Sequence, residues 1–202
     1  GVVKVVHSWR CVSDAVVAGL SEPTADPFVR PILVAPGNAQ SRSLLQSLAR
    51  RHGIAAGIDT TTPLGLRERL EEDLLGIKRE NDPWQPGPLA LRICRIIENN
   101  SPGFEVVSAH LEASRRQGVP RATWTTARQA ADAICALARD SHDVLNAWAD
   151  GAAPTSHQGD TDLAGDPLDP ARAWWAPLWR TLLAEPCHVP DPVSRHQLLV
   201  DA

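Results

Sequence analysis

Apolar positions change their spacing about a third of the way along the chain. In the first sixty residues they fall in short β-branched or aliphatic runs separated by amphipathic stretches. "VVKVVHS" (Val2 to Ser8) reads as a strand, and "CVSDAVVAGLSE" places Val12, Ala15, Val16 and Leu20 at helical spacing. After the turn-rich "SEPTADPFVRP", "ILVA" (Ile32 to Ala35) reads as a buried strand. "NAQSRSLLQSLARRHG" then reads as a helix whose basic last turn and Gly53 suit a C-terminal cap. "IAAGID" (Ile54 to Asp59) completes a predicted β-α-β-α-β order. Such an order implies a parallel sheet, with ligands at the carboxyl ends of the strands: Ser8, Ala35 to Asn38, and Asp59 to Thr62.

Beyond Pro63 the apolar period lengthens to three or four residues. "PLGLRERLEEDLLG", "GPLALRICRIIENN", "SPGFEVVSAHLEASRRQG" and "TWTTARQAADAICALARDSHDVLNAWADG" all predict helices, the last of them one helix or two. Residues 150–170 are rich in Pro, Gly and Asp and predict a solvated loop. "ARAWWAPLWRTLLAE" resumes a helix that Pro177 either starts or kinks. The expected organisation is an α/β core over residues 1–62 and a mainly helical domain over 63–202.

Composition narrows the function classes. The 202 residues include 22% charged side chains, carry a net charge of −4 and contain no methionine, even at position 1; together with the Gly1-Val2 start and the "SRHQLLVDA" end this reads as a fragment of a longer chain. No apolar run approaches the ~20 residues of a membrane span, and no leader pattern is present, so a cytoplasmic location is expected. A domain that grips DNA alone usually shows a basic balance, which is missing. Cys11, Cys94, Cys135 and Cys187 stand singly, without metal-ligand spacing, and are expected to be reduced thiols in the core. His7 with Cys11, and Cys187 with His188, supply too few ligands for a metal.

Most candidate chemistry centres on the turn after Ile32 to Ala35. A phosphate-gripping loop needs G-x-x-x-x-G-K-[ST], and Pro36, Ser41, Arg42 and Ser43 occupy those defining spacings, with Gly37 supplying the turn. Arginine's planar fork does not fit where backbone wraps a compact ammonium, so ATP hydrolysis here is not expected. A small nucleotide-binding enzyme using Arg42 and Ser43 in a decayed loop is the alternative reading. Glu68, Glu71, Glu72 and Asp73 alternate with Arg67 and Arg69 as on a solvated helix face. No nucleophile signature or nuclease set is found, so no catalytic residue is assigned. Trp174 and Leu178, with Trp175 and Trp179 beside them, form two apolar rows that suit a core or a partner interface.

Four blocks, in order, carry a family resemblance: "VVHSWR", "DPFVRPILVAPGNAQSRSLLQSLARRHGIAAGID", "AADAICALARDSHDVLNAWADG" and "ARAWWAPLWRTLL". They resemble the amino-terminal part of the RecC family, the gamma subunits of exodeoxyribonuclease V. The resemblance implies a P-loop-helicase-like parallel sheet core that has lost its ATPase motifs, followed by an inserted helical domain. It implies a non-catalytic subunit of an ATP-dependent helicase–nuclease that unwinds and resects double-strand DNA ends for recombinational repair. The partners would be a helicase–nuclease beta subunit, a helicase alpha subunit and single- and double-stranded DNA. ATP and magnesium would serve those partner subunits, none being bound by this chain. By position, Gln40 on the turn-helix and Thr60, Thr61 and Thr62 at the next strand end would meet single-stranded DNA, with scanning for a hotspot sequence a further family role. The sequence departs from the family's pattern in its short apolar turn at Ala35 and Pro36, and in Thr60, Thr61 and Glu68 where aromatic residues are expected.

Overall fold

The computed structural model describes residues 8–20, 29–99, 102–152 and 173–202. Helices dominate. They are α1 (Trp9–Leu20), α2 (Asn38–His52), α3 (Pro63–Leu75), α4 (Pro86–Glu98), α5 (Glu105–Arg116), α6 (Ala122–Asp140), α7 (His142–Ala149), α8 (Trp175–Ala184) and α9 (Pro192–Asp201). Two strands of three residues each, β1 (Ile32–Val34) and β2 (Asp59–Thr61), pair in parallel. Two compact units result, residues 1–70 and 71–202, the division falling within α3.

The first unit corrects the expected parallel sheet core. Among the described residues its sheet is one short pair, and of the β1 residues only Leu33 is buried, Ile32 and Val34 staying 45% and 39% exposed. Six strand residues that bury one leucine cannot form a P-loop-type core. The expected third strand starts late for a backbone reason. Gly57 adopts φ 74, Ile54 is exposed, and ladder pairing begins only where the Asp59 N–H donates to the Pro31 carbonyl at 3.0 Å. Of the expected first strand, residues 2–8, all but Ser8 lie outside the described residues, His7 among them, as does most of the 150–170 loop.

Helix signals are the more accurate guides, because their causes are local. α1 packs on α2, and among the described residues the unit buries Val17, Leu33, Ala35, Leu44 and Leu48. Arg50, Arg51 and His52 complement the C-terminal dipole of α2. Gly53 closes the helix at φ 80, its N–H donating to the Ala49 carbonyl at 2.8 Å. Nothing lies within 4 Å of a Cβ placed on Gly53, so Gly53→Ala meets only the backbone cost of the left-handed conformation. A loss of about 1 kcal/mol is expected by urea denaturation.

The second unit holds the larger core. α4 presents Leu89, Ala90, Ile93, Ile96 and Ile97 along one stripe, and α6 answers with Ile134 and with Ala127, Ala130, Ala131 and Ala138, whose small side chains let the two helices approach closely. Trp84, Trp148, Trp174 and Trp179 fill the remaining space; Trp175 packs half-buried against them. Pro177 stands in the first turn of α8, where a missing N–H costs nothing. Cys94 and Cys135 are half-buried against this core, whereas Cys11 and Cys187 are exposed, contrary to the expectation for all four.

A buried ion pair holds α9. Arg195 and Asp82 are each 3% exposed; Arg195 Nη1 donates to Asp82 Oδ2 at 2.8 Å and Nη2 to Oδ1 at 2.5 Å, while Glu71 Oε2 accepts from Nη1 at 3.2 Å. The backbone N–H of Trp84 also donates to Asp82 Oδ1, at 3.0 Å. Among the described residues no helix is long and apolar enough to cross a membrane.

Candidate functional site

β1 and β2 each end where a helix begins, and the two ends are tied together: the Ala35 N–H donates to the Thr61 carbonyl at 3.0 Å. The starts of α2 and α3 are thereby set side by side. Gly37 caps α2 in an extended conformation, with no side-chain acceptor for the first N–H groups. Those orphan donors and the helix dipole favour an electronegative ligand atom at this edge.

The residues of the decayed loop sit as follows. Ser41, where the motif needs its second glycine, is buried, and its hydroxyl donates back to the Gly37 carbonyl at 3.3 Å. A side chain thus occupies the place where phosphate would approach the backbone. Arg42 and Pro36 lie exposed, Ser43 half-buried. Gln40 is exposed on the first turn of α2, its Oε1 close enough to Gly37 that a Cβ there would stand 3.1 Å away. The structure brings Gln40 to the mouth of the turn and sets Arg42 and Ser43 on the helix behind it.

The three threonines differ in what they do. Thr62 precedes α3 and caps it, its Oγ1 accepting from the Gly65 N–H at 3.1 Å, with Pro63 at the first helical position. Thr61 is half-buried against Gly65, where an added Cβ would come within 2.5 Å of its Oγ1. Thr60 is the exposed one, paired in register with Leu33. Gln40 and Thr60 therefore offer side chains to solvent, while Thr61 and Thr62 shape the backbone. Trp174 and Trp179 are core residues of the other unit.

Sequence reasoning misses one feature of this neighbourhood. Asp59 lies between two arginines, 4.0 Å from Arg30 and 3.7 Å from Arg69. Helical spacing alone puts Arg69 on a solvated helix face, because it does not reveal that this turn of α3 folds back beside β2.

Elsewhere the chemistry is quiet. Burial pushes the Cys135 thiol up to about 11, and its Sγ lies 3.5 Å from the Trp84 carbonyl, so it is no nucleophile at neutral pH. No three His, Cys, Asp or Glu among the described residues approach one another as a metal set.

Comparison with known proteins adds a lineage to this geometry. The family described as "RecC, N-terminal domain" matches residues 6–201. Similar curated proteins named "RecBCD enzyme subunit RecC" occur in Mycobacterium tuberculosis strains CDC 1551 / Oshkosh and H37Rv. Each is 29% identical over 200 residues, covering 88% of this chain and 16% of the relative. The Mycolicibacterium smegmatis protein of the same name is 26% identical over 187 residues, covering 88% of this chain and 15% of the relative. The chain thus spans about a sixth of the length of the curated relatives it matches. With the match extending over nearly every residue, the chain belongs to the RecC N-terminal domain family.

Proposed function

We propose that this chain is the amino-terminal, non-catalytic portion of a RecC-type subunit. It works inside an ATP-dependent exodeoxyribonuclease V complex that unwinds and resects double-strand DNA ends. Its partners are the helicase–nuclease beta subunit and the helicase alpha subunit, which use ATP and magnesium. The first unit guides the separated single strand past the ends of β1 and β2, where a hotspot sequence is scanned.

One observation carries the reading beyond family membership: the turn that would grip a nucleotide is filled by Ser41, while Gln40 and Thr60 remain exposed beside it. An amide can hydrogen-bond a base edge, and a hydroxyl a sugar or phosphate oxygen. Coupling of ATP hydrolysis to strand movement then belongs to the other subunits. Photocrosslinking from thymidine analogues in the single-stranded tail of a forked duplex, bound to the assembled complex, tests this. Crosslinks are expected at Gln40 and Thr60. Their absence there, with crosslinks found elsewhere on the same subunit, would remove the reading.

A further inference from the structure

The Arg30, Asp59 and Arg69 cluster lies close to the proposed strand path. Two guanidinium groups share one carboxylate, at 4.0 and 3.7 Å, and both separations exceed hydrogen-bond reach. The two guanidinium groups and the one carboxylate sum to a single positive charge. All three side chains are open to solvent, at 70% for Arg30, 42% for Asp59 and 47% for Arg69. Ion pairs this exposed and this long contribute little to stability, so fold maintenance does not account for two arginines converging on one acid.

We infer that Arg30 and Arg69 form a seat for a phosphodiester of single-stranded DNA, with Asp59 as the internal counter-ion that the phosphate displaces. The inference rests on the strand-guidance reading and assigns it a backbone contact. An arginine fork presents parallel N–H donors that match the oxygens of a phosphate. The strand register supports a nucleic acid over a bare anion. Ile32 pairs with Asp59 and Val34 with Thr61, so the half-exposed Ile32 lies beside the acid and Val34 continues the same apolar face for sugar or base. Such a seat holds the strand irrespective of its bases, whereas Gln40 would read them.

Asp59 supplies the decisive variant, because the seat and a structural role predict opposite signs. The assay is binding of a forked duplex with an oligothymidylate tail to the complex assembled from full-length subunits, measured over a range of salt. Arg30→Ala and Arg69→Ala are each expected to weaken binding and to flatten the slope of log Kd against log salt by about 0.7, the value for one lost single-strand phosphate contact. Asp59→Asn is expected to tighten binding. If Asp59→Asn weakens binding as the arginine variants do, the cluster is structural and the inference is overturned. If the arginine variants leave the slope unchanged while Gln40→Ala weakens binding, the seat is wrong and strand guidance stands. If none of the four substitutions alters binding, both fall. If an acidic peptide competes for the seat better than the oligothymidylate does, the assignment to DNA is overturned.

Discussion

Asp82→Ala is expected to lower the stability of the helical unit by about 3–5 kcal/mol, the range for removing one partner of a buried ion pair. The cost arises less from the lost attraction than from what remains. Arg195 is 3% exposed and would keep only Glu71 Oε2 and, at Nε, the Pro190 carbonyl at 2.9 Å. The Trp84 N–H and the Gln85 amide, 3.0 and 3.2 Å from the carboxylate, would lose their acceptor as well. Urea denaturation of the full chain, followed by tryptophan fluorescence, reads this unit directly, since every tryptophan except Trp9 lies beyond residue 71. A loss below about 1 kcal/mol, the size of an exposed pair's contribution, would show that the pair does not fasten α9.

The same carboxylate sets an acid dependence. Burial works to raise the Asp82 pKa, but Arg195, the Trp84 N–H and Gln85 outweigh it and hold the carboxyl below the usual carboxylate range. For a depressed carboxyl the stabilisation is fully present above the unfolded pKa and is lost as pH falls through the folded one. Asp82→Asn, which keeps an acceptor but loses the charge, is therefore expected to lose stability at neutral pH. It is also expected to flatten the acid limb of the stability curve.

Trp179→Ala is expected to cost about 3–5 kcal/mol, the range for truncating a large aromatic in a packed core. Trp179 is 1% exposed and meets Trp84 edge-on, with ring centroids 5.6 Å apart. Trp84 is in turn covered by the Arg92 guanidinium at 4.5 Å, and its Nε1 donates to the Val189 carbonyl at 3.2 Å. Losing Trp179 thus loosens α8 and the segment leading to α9 together. Trp179→Phe, which retains an edge-to-face ring, is expected to cost less than half as much. Equal destabilisation by the two variants in thermal melts would mean that the indole's size, not the ring contact, sets the cost.

What the sequence makes legible follows from how local each cause is. The α2 helix is announced by its own basic last turn and Gly53, and α4 to α7 by apolar residues at three- and four-residue spacing. The break between α6 and α7 falls at Ser141, inside a stretch that reads equally as one helix or two. The strands are less legible. "IAAGID" has strand-like residues, yet Gly57 takes a positive φ and pairing starts at Asp59. Non-local contacts lie beyond reach. Asp82 and Arg195 meet across 113 residues, and no period connects them. At the candidate site the turn after β1 and the exposure of Gln40 can be read from residue types. That Thr62 is committed to capping α3, and that Arg69 folds back beside Asp59, emerges only from the three-dimensional arrangement.

Strand guidance by the ends of β1 and β2 is the central proposal, and hydrogen exchange tests it most directly. The complex assembled from full-length subunits is exchanged with and without a forked duplex, and peptides from this region are followed by mass spectrometry. DNA is expected to slow exchange in peptides spanning residues 35–42 and 58–66, while those from α4, α6 and α8 keep their rates. Protection confined to residues 71–202, with the ends of β1 and β2 unchanged, would contradict the account.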